Sequence, residues 1–110
     1  MVNHYPAQLN SVFSALADPT RRTILTQLTH GSCAITKLKT AHKMSLPGVM
    51  KHIRVLEEAG LVKRQKKGRV VHCHLAAEPL KDAATWIDEY RQFWDQRLDS
   101  LADYLKTQDL

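Results

Sequence analysis

Ser45, Lys51, His52 and Arg54 are spaced so that one helix presents a hydrogen-bonding N-terminus and a cationic outer face, a combination suited to gripping a polyanion. The run from Ser45 to Gly60 has the residues to build that helix. Ser45 is a favoured N-cap, Pro47 has helical φ at an early position, and Gly60 suits the left-handed residue that ends a helix. Val49, Ile53 and Leu56 recur at i, i+4 and i+7, a stripe that faces a core and leaves Lys51, His52 and Arg54 pointing outward or along its flanks. A second chemical cluster is His72-Cys73-His74. Strand alternation puts its two imidazoles on one face and its thiol on the other, so the three cannot share one ion. The chain holds no glycine-rich phosphate loop, nucleophile elbow or His-Glu-x-x-His sequence, so no catalytic residue, metal site or cofactor is expected.

The elements that position the basic helix are legible around it. Leu9, Val12, Phe13 and Leu16 form a first helical stripe, with Pro6 as an early position. Asp18-Pro19 is a cap and first-turn pair for a second helix that buries Ile24, Leu25 and Leu28 and stops at Gly31. Ile35 and Leu38 predict a third short helix from Ala34 to Ala41, and a turn at Lys43-Met44 delivers the chain to Ser45. After Gly60 the period changes to two, which predicts two strands joined through Lys66-Lys67-Gly68-Arg69, a hairpin with a cationic tip. From Pro79, Leu80, Ala84, Ile87, Arg91, Trp94, Leu98, Leu101 and Leu105 alternate at spacings of four and three along one long helix. The expected fold is mainly α with a small β-hairpin: a winged helix-turn-helix of about five helices. Its single domain spans 1–110, with helices one and two at 9–30, the helix-turn-helix at 34–60, the wing at 61–76 and a dimerisation helix at 79–107.

With 110 residues, 44% apolar and 25% charged, the chain is sized and composed for one ordinary core. No apolar run is long enough to cross a bilayer, and the N-terminus lacks a secretory signal pattern, so a cytoplasmic protein with no membrane partner is expected. The net charge of +5 is unevenly placed. Residues 37–74 hold ten basic against two acidic residues, a net of +8, while the rest of the chain holds six against nine, a net of −3. Such segregation favours a polyanion-binding middle, with double-stranded DNA as the expected partner.

On that reading Ser45, Leu46, Pro47, Gly48 and Met50 lie at the leading end of the reading helix, and Lys51 and His52 are its polar readers beside Arg54. Lys66, Lys67 and Arg69 contact phosphates from the wing. Leu46 and Met50 offer contacts to thymine methyls, which predicts an A·T-rich site. Met50 as core packing and His52 as a hydrogen-bonded structural residue are the competing assignments. Trp86, Tyr90 and Phe93 widen the apolar side of the last helix beyond what one small core covers. A two-fold homodimer is expected, with Leu9, Val12 and Phe13 from the first helix and Ile87, Tyr90, Trp94, Leu98, Leu101 and Leu105 from the last at its interface.

The blocks Leu16-Ala17-Asp18-Pro19-Thr20-Arg21-Arg22-Thr23-Ile24-Leu25, Met44-Ser45-Leu46-Pro47, Lys51-His52-Ile53, Leu56-Glu57-Glu58-Ala59-Gly60-Leu61-Val62 and Gly68-Arg69 together resemble the ArsR/SmtB family of bacterial winged-helix repressors. The resemblance runs from about Leu9 to Leu105, and the ending from Trp86 to Tyr104 is similar to a branch whose last helix is rich in tryptophan and leucine. It implies a homodimeric, usually autoregulating repressor that binds an operator and is released by a signal. Leu46, Gly48 and Met50 depart from the polar residues common at those positions. This keeps open a second reading, a dimeric protein-interaction module without specific DNA reading. A third, a metal- or thiol-responsive sensor, meets a lone Cys33 where relatives carry a Cys-x-Cys pair, and no histidine after His74. Nothing in the spacing of Cys33 and Cys73 brings them together, so both are expected to be inert buried thiols, and no residue set points to an inducer.

Overall fold

The computed structural model describes residues 6–108, in the order α1 (Pro6–Leu16), α2 (Pro19–Leu28), β1 (Cys33–Ala34), α3 (Ile35–Ala41), α4 (Leu46–Glu58), β2 (Val62–Lys67), β3 (Val70–Leu75) and α5 (Glu78–Gln108). Asp18 caps α2 by accepting from the Arg21 amide at 3.0 Å, and Ser45 caps α4 by accepting from the Gly48 amide at 3.1 Å. Each cap satisfies one of the amides that a helix N-terminus leaves without a partner. The opposite end of α4 closes with Gly60 at φ +78°. Its amide donates to the Glu57 carbonyl and that of Leu61 to the Leu56 carbonyl, both at 2.9 Å. That double closure turns the chain sharply into β2. Lys43, at φ 52°, makes the reversal between α3 and α4 in the left-handed region.

The sheet has three strands where the sequence predicts two. β2 and β3 form the hairpin, with Lys67 opposite Val70 across the turn, and β1 adds to the far edge of β3 in the order β1-β3-β2. β1 is two residues long, too short for a period to show in sequence, and exists because β3 offers it an open edge. Its register sets Cys33 opposite Cys73 and Ala34 opposite His72. The two thiols, whose spacing in the sequence gives no sign of proximity, are therefore cross-strand neighbours. Ala34, the first residue of the predicted third helix, is instead the extended residue before α3.

Val49, Ile53 and Leu56 are completely buried, so the stripe of α4 occupies the middle of the core. Val12, Ile24, Leu38, Leu61 and Cys73 surround it at similar burial. Each such aliphatic side chain stabilises the fold by about 2 kcal/mol through removal from water. α5 contributes little to this core. Only Pro79 and Ala83 are buried on it, with Leu80 packed at the margin. Its 31 residues span about 46 Å, and the molecule measures 70 × 34 × 21 Å because the helix extends past the domain. Among the described residues no helix is long and apolar enough to cross a membrane.

Candidate nucleic-acid interface

Because Val49, Ile53 and Leu56 are committed to the core, helical geometry turns Pro47, Lys51 and Arg54, themselves spaced i, i+4 and i+7, to the outside, and all three are exposed. Ser45 is exposed with its hydroxyl engaged in the cap. Gly48 is half-buried beside it, and a Cβ at that position would lie 3.1 Å from the Ser45 Oγ and 3.3 Å from the Met44 Cε. Glycine here lets the cap and the Met44 side chain close over the first turn. Leu46 is exposed at the leading end of α4, whereas Met50 is half-buried against the core. On the wing Lys66, Lys67 and Arg69 are exposed. Leu46, Met50, Ile35, Thr36, Val70 and Val71 line a cleft of about 290 Å³ between α4 and the wing, with Arg64 and Arg69 at its edge.

His52 is half-buried. Its side chain is only 18% exposed, with Nδ1 3.4 Å from an Arg21 guanidinium nitrogen and 3.9 Å from the Asp18 carboxylate. Through Nδ1 it tethers α4 to the start of α2, the contact that the structural assignment of this histidine requires. Arg21 is the centre of this tether. Its Nε donates to the Ala15 carbonyl at 2.7 Å and its Nη2 to the Ser14 carbonyl at 3.1 Å, while Arg22 donates to the Leu16 carbonyl at 2.6 Å. The two arginines thereby bond the carbonyls at the end of α1, where Ser14 also accepts from the Ala17 amide. The Arg21 amide, outweighing partial desolvation and helped by the Arg21 and His52 charges, holds the Asp18 carboxyl below its ordinary value of 3.8. The Asp-Pro-Thr-Arg-Arg run signalled a helix start, but nothing local in it revealed that His52 would join.

The cations of the basic middle therefore divide. Arg64 pairs with Glu57 at 2.9 Å across β2 and α4, whereas the other nine basic residues from 37 to 74 have no ion-pair partner among the described residues, and Lys51, Arg54, Lys66, Lys67 and Arg69 are the ones that lie on α4 and at the wing tip. Their charge is uncommitted.

The residues expected at a dimer interface divide as well. Leu9 and Val12, at 6% and 0% exposure, are enclosed in the protomer's own core and offer no surface to a second copy, a correction to the expected interface. Phe13 is half-buried and packs edge-on against Trp86 at 5.5 Å, and Trp86 lies 4.7 Å from Tyr90. Ile87, Tyr90, Trp94, Leu98, Leu101 and Leu105 are each at least half exposed. Trp86, Ile87, Tyr90 and Trp94 line an open groove along α5.

This geometry has close counterparts. A helix-turn-helix domain model matches residues 16–65. The arsenical resistance operon repressor of Escherichia coli is 32% identical over 105 residues, which cover 94% of this chain and 87% of the repressor. The chain belongs to the ArsR/SmtB family. A crystal structure of an ArsR family transcriptional regulator superposes on it with TM-score 0.77 and 40% identity, over 86% of this chain and 97% of the other. The homodimeric winged helix-turn-helix DNA-binding domain of Mb0332 from Mycobacterium bovis superposes with TM-score 0.62 and 27% identity, over 84% and 82% of the two chains. This ArsR/SmtB protein is thus a winged helix-turn-helix regulator of the DNA-binding type, from a family of transcriptional regulators rather than enzymes. The thiophilic-metal site of some ArsR/SmtB proteins does not fit its residues. Cys33 stands alone ahead of α3, and among the described residues no group of three or more His, Cys, Asp or Glu is arranged to hold a metal ion.

Proposed function

We propose that this ArsR/SmtB regulator is a homodimeric repressor of a pseudo-palindromic, A·T-rich operator. The α4 helix, residues 45–59, enters the major groove, and the wing tip, residues 66–69, lies on the phosphate backbone. The observation that carries this reading is the division among the cations. Those that build the fold are bonded, whereas Lys51 and Arg54 on α4 and Lys66, Lys67 and Arg69 on the wing are exposed and have no ion-pair partner among the described residues. Cations left without internal partners on two neighbouring elements are disposed to replace the counterions of a duplex. Lys51 reads base edges, Arg54 and the wing cations hold phosphates, and Leu46 with Met50 at the mouth of the apolar cleft meets thymine methyls.

The second copy follows from α5. A row of exposed aromatic and leucine side chains on a helix that leaves its own domain favours an isologous contact, and the homodimeric relative from Mycobacterium bovis supports the same assembly. Two reading helices held about 34 Å apart meet successive major grooves on one side of a duplex.

A mobility-shift titration with the DNA upstream of the protein's own gene tests the proposal. A complex that resists random competitor and weakens steeply with added salt is the expected result. Binding that ignores sequence, or no binding in dilute buffer, favours the interaction-module reading instead.

A further inference from the structure

Cys33 and Cys73 face each other across the β1–β3 ladder, and both are free thiols. Residues opposite one another in an antiparallel pair project to the same face of the sheet, with Cα atoms roughly 4.5 or 5.5 Å apart, and both separations fall inside the range a disulfide bridges. We infer that Cys33 and Cys73 form a dithiol that peroxides oxidise to an intramolecular disulfide, a covalent modification site at the base of the helix-turn-helix.

The two thiols differ in access, which sets the order of events. Cys33 lies at the wall of a cavity of about 520 Å³ that opens to solvent, lined also by Gln27, His30, Ser32, Lys37 and His72. The Gln27 side-chain amide donates to the Cys33 sulfur at 3.6 Å and is itself held by His42 at 3.0 Å from its carbonyl oxygen. A peroxide therefore reaches Cys33 first, in a polar setting that supplies a donor to the sulfur. Cys73 is fully enclosed. Burial, with the Glu57 charge, pushes its thiol up to about 11 against a partial offset from Arg64, and the proximity of Cys33 adds to the rise. Such a thiol reacts poorly with oxidant from solution. It reacts with a sulfenic acid held against it, because the encounter is already made.

The Cys33 thiolate attacks the terminal peroxide oxygen, the O–O bond breaks, and the departing alkoxide or hydroxide takes a proton to leave as an alcohol or water. The Cys73 sulfur then displaces hydroxide from the Cys33 sulfenic acid, and the thiol proton leaves with it as water. The dithiol loses two electrons and two protons, and the peroxide is reduced by the same two electrons. The bond ties the residue that precedes the N-cap of α3 to the inner wing strand, so the helix-turn-helix and the wing lose the freedom to adjust to one another on a duplex. Operator affinity then falls, a consequence that rests on the DNA-reading proposal, whereas the oxidation itself does not.

Treatment of the full-length reduced protein with hydrogen peroxide, followed by thiol blocking and non-reducing peptide mapping, tests the modification without DNA. The expected product is a Cys33–Cys73 linked peptide pair within one chain, removed by dithiothreitol. Its absence, with sulfinic acid on Cys33 or links only between chains, overturns the inference. The same oxidised sample is titrated onto operator DNA in parallel. An affinity loss of about tenfold, restored by dithiothreitol and absent in Cys33→Ser, is the expected readout. Formation of the bond with unchanged affinity refutes the coupling to DNA, and failure of the reduced protein to bind operator refutes the functional proposal alone.

Discussion

Lys51 and Arg21 carry the same charge within reach of one helix, yet only Lys51 is available to a partner. Arg21 is consumed by the Ser14 and Ala15 carbonyls and by His52, while Lys51 faces solvent with nothing to pair with among the described residues. Lys51→Ala is expected to lower operator affinity by about 1 to 3 kcal/mol and to relax preference at one base position. Lys67→Ala is expected to weaken all DNA alike and to reduce the salt slope by about 1. Titrations on operator and scrambled DNA at several salt concentrations separate the two outcomes. Asp18 carries a different prediction, because its carboxyl is held below 3.8 in the fold by the Arg21 amide. A carboxylate with a lowered folded-state value stabilises the fold above 3.8 and ceases to do so as pH falls through that lower value. The melting-temperature gap between the wild type and Asp18→Asn is therefore expected to be widest near neutral pH and to narrow below pH 3.8. A gap that widens in acid contradicts the assignment.

The α4 helix was legible in the sequence from end to end, since its cap, its stripe and its closing glycine are local signals separated by no more than a few turns. Its N-terminus depends on one hydroxyl. Ser45→Ala removes the acceptor of the Gly48 amide and is expected to cost about 1 kcal/mol, lowering the melting temperature by about 4 °C. Thermal denaturation followed by circular dichroism measures it, and an unchanged transition would show that another group takes over the cap. The β1 strand was not legible at all. Two residues carry no periodicity, and the strand forms only because β3, about forty positions away in the chain, presents an unpaired edge. The pairing of Cys33 with Cys73 inherits the same cause. His52 shows the intermediate case: its position on α4 was readable, but its rotation toward Asp18 and Arg21 came from the packing of α2 against α4.

The long axis of 70 Å is set by α5, whose apolar side chains lie mostly beyond the reach of the core they follow. In a two-fold dimer Leu98 and Trp94, 59% and 61% exposed in the protomer, become enclosed. Leu98→Glu places a charge in that contact and is expected to shift sedimentation toward the single chain at micromolar concentration. On the proposed dimeric reading, operator affinity is expected to fall by about tenfold or more, because each half-site is then bound separately. Unaltered sedimentation would place the two-fold contact on another surface. Leu9 and Val12 share the apolar character of Leu98 but not its fate, since they are already enclosed by the protomer.

The amino-acid order alone determined the capped basic helix, the cationic hairpin and the concentration of positive charge between residues 37 and 74, because caps, periods and charge counts act over neighbouring residues. Tertiary packing decided which apolar stripes the protomer consumes, which histidine turns inward and which two thiols meet. Those outcomes depend on which distant element covers a given face, and burial, the strongest force acting on them, has no memory of chain position.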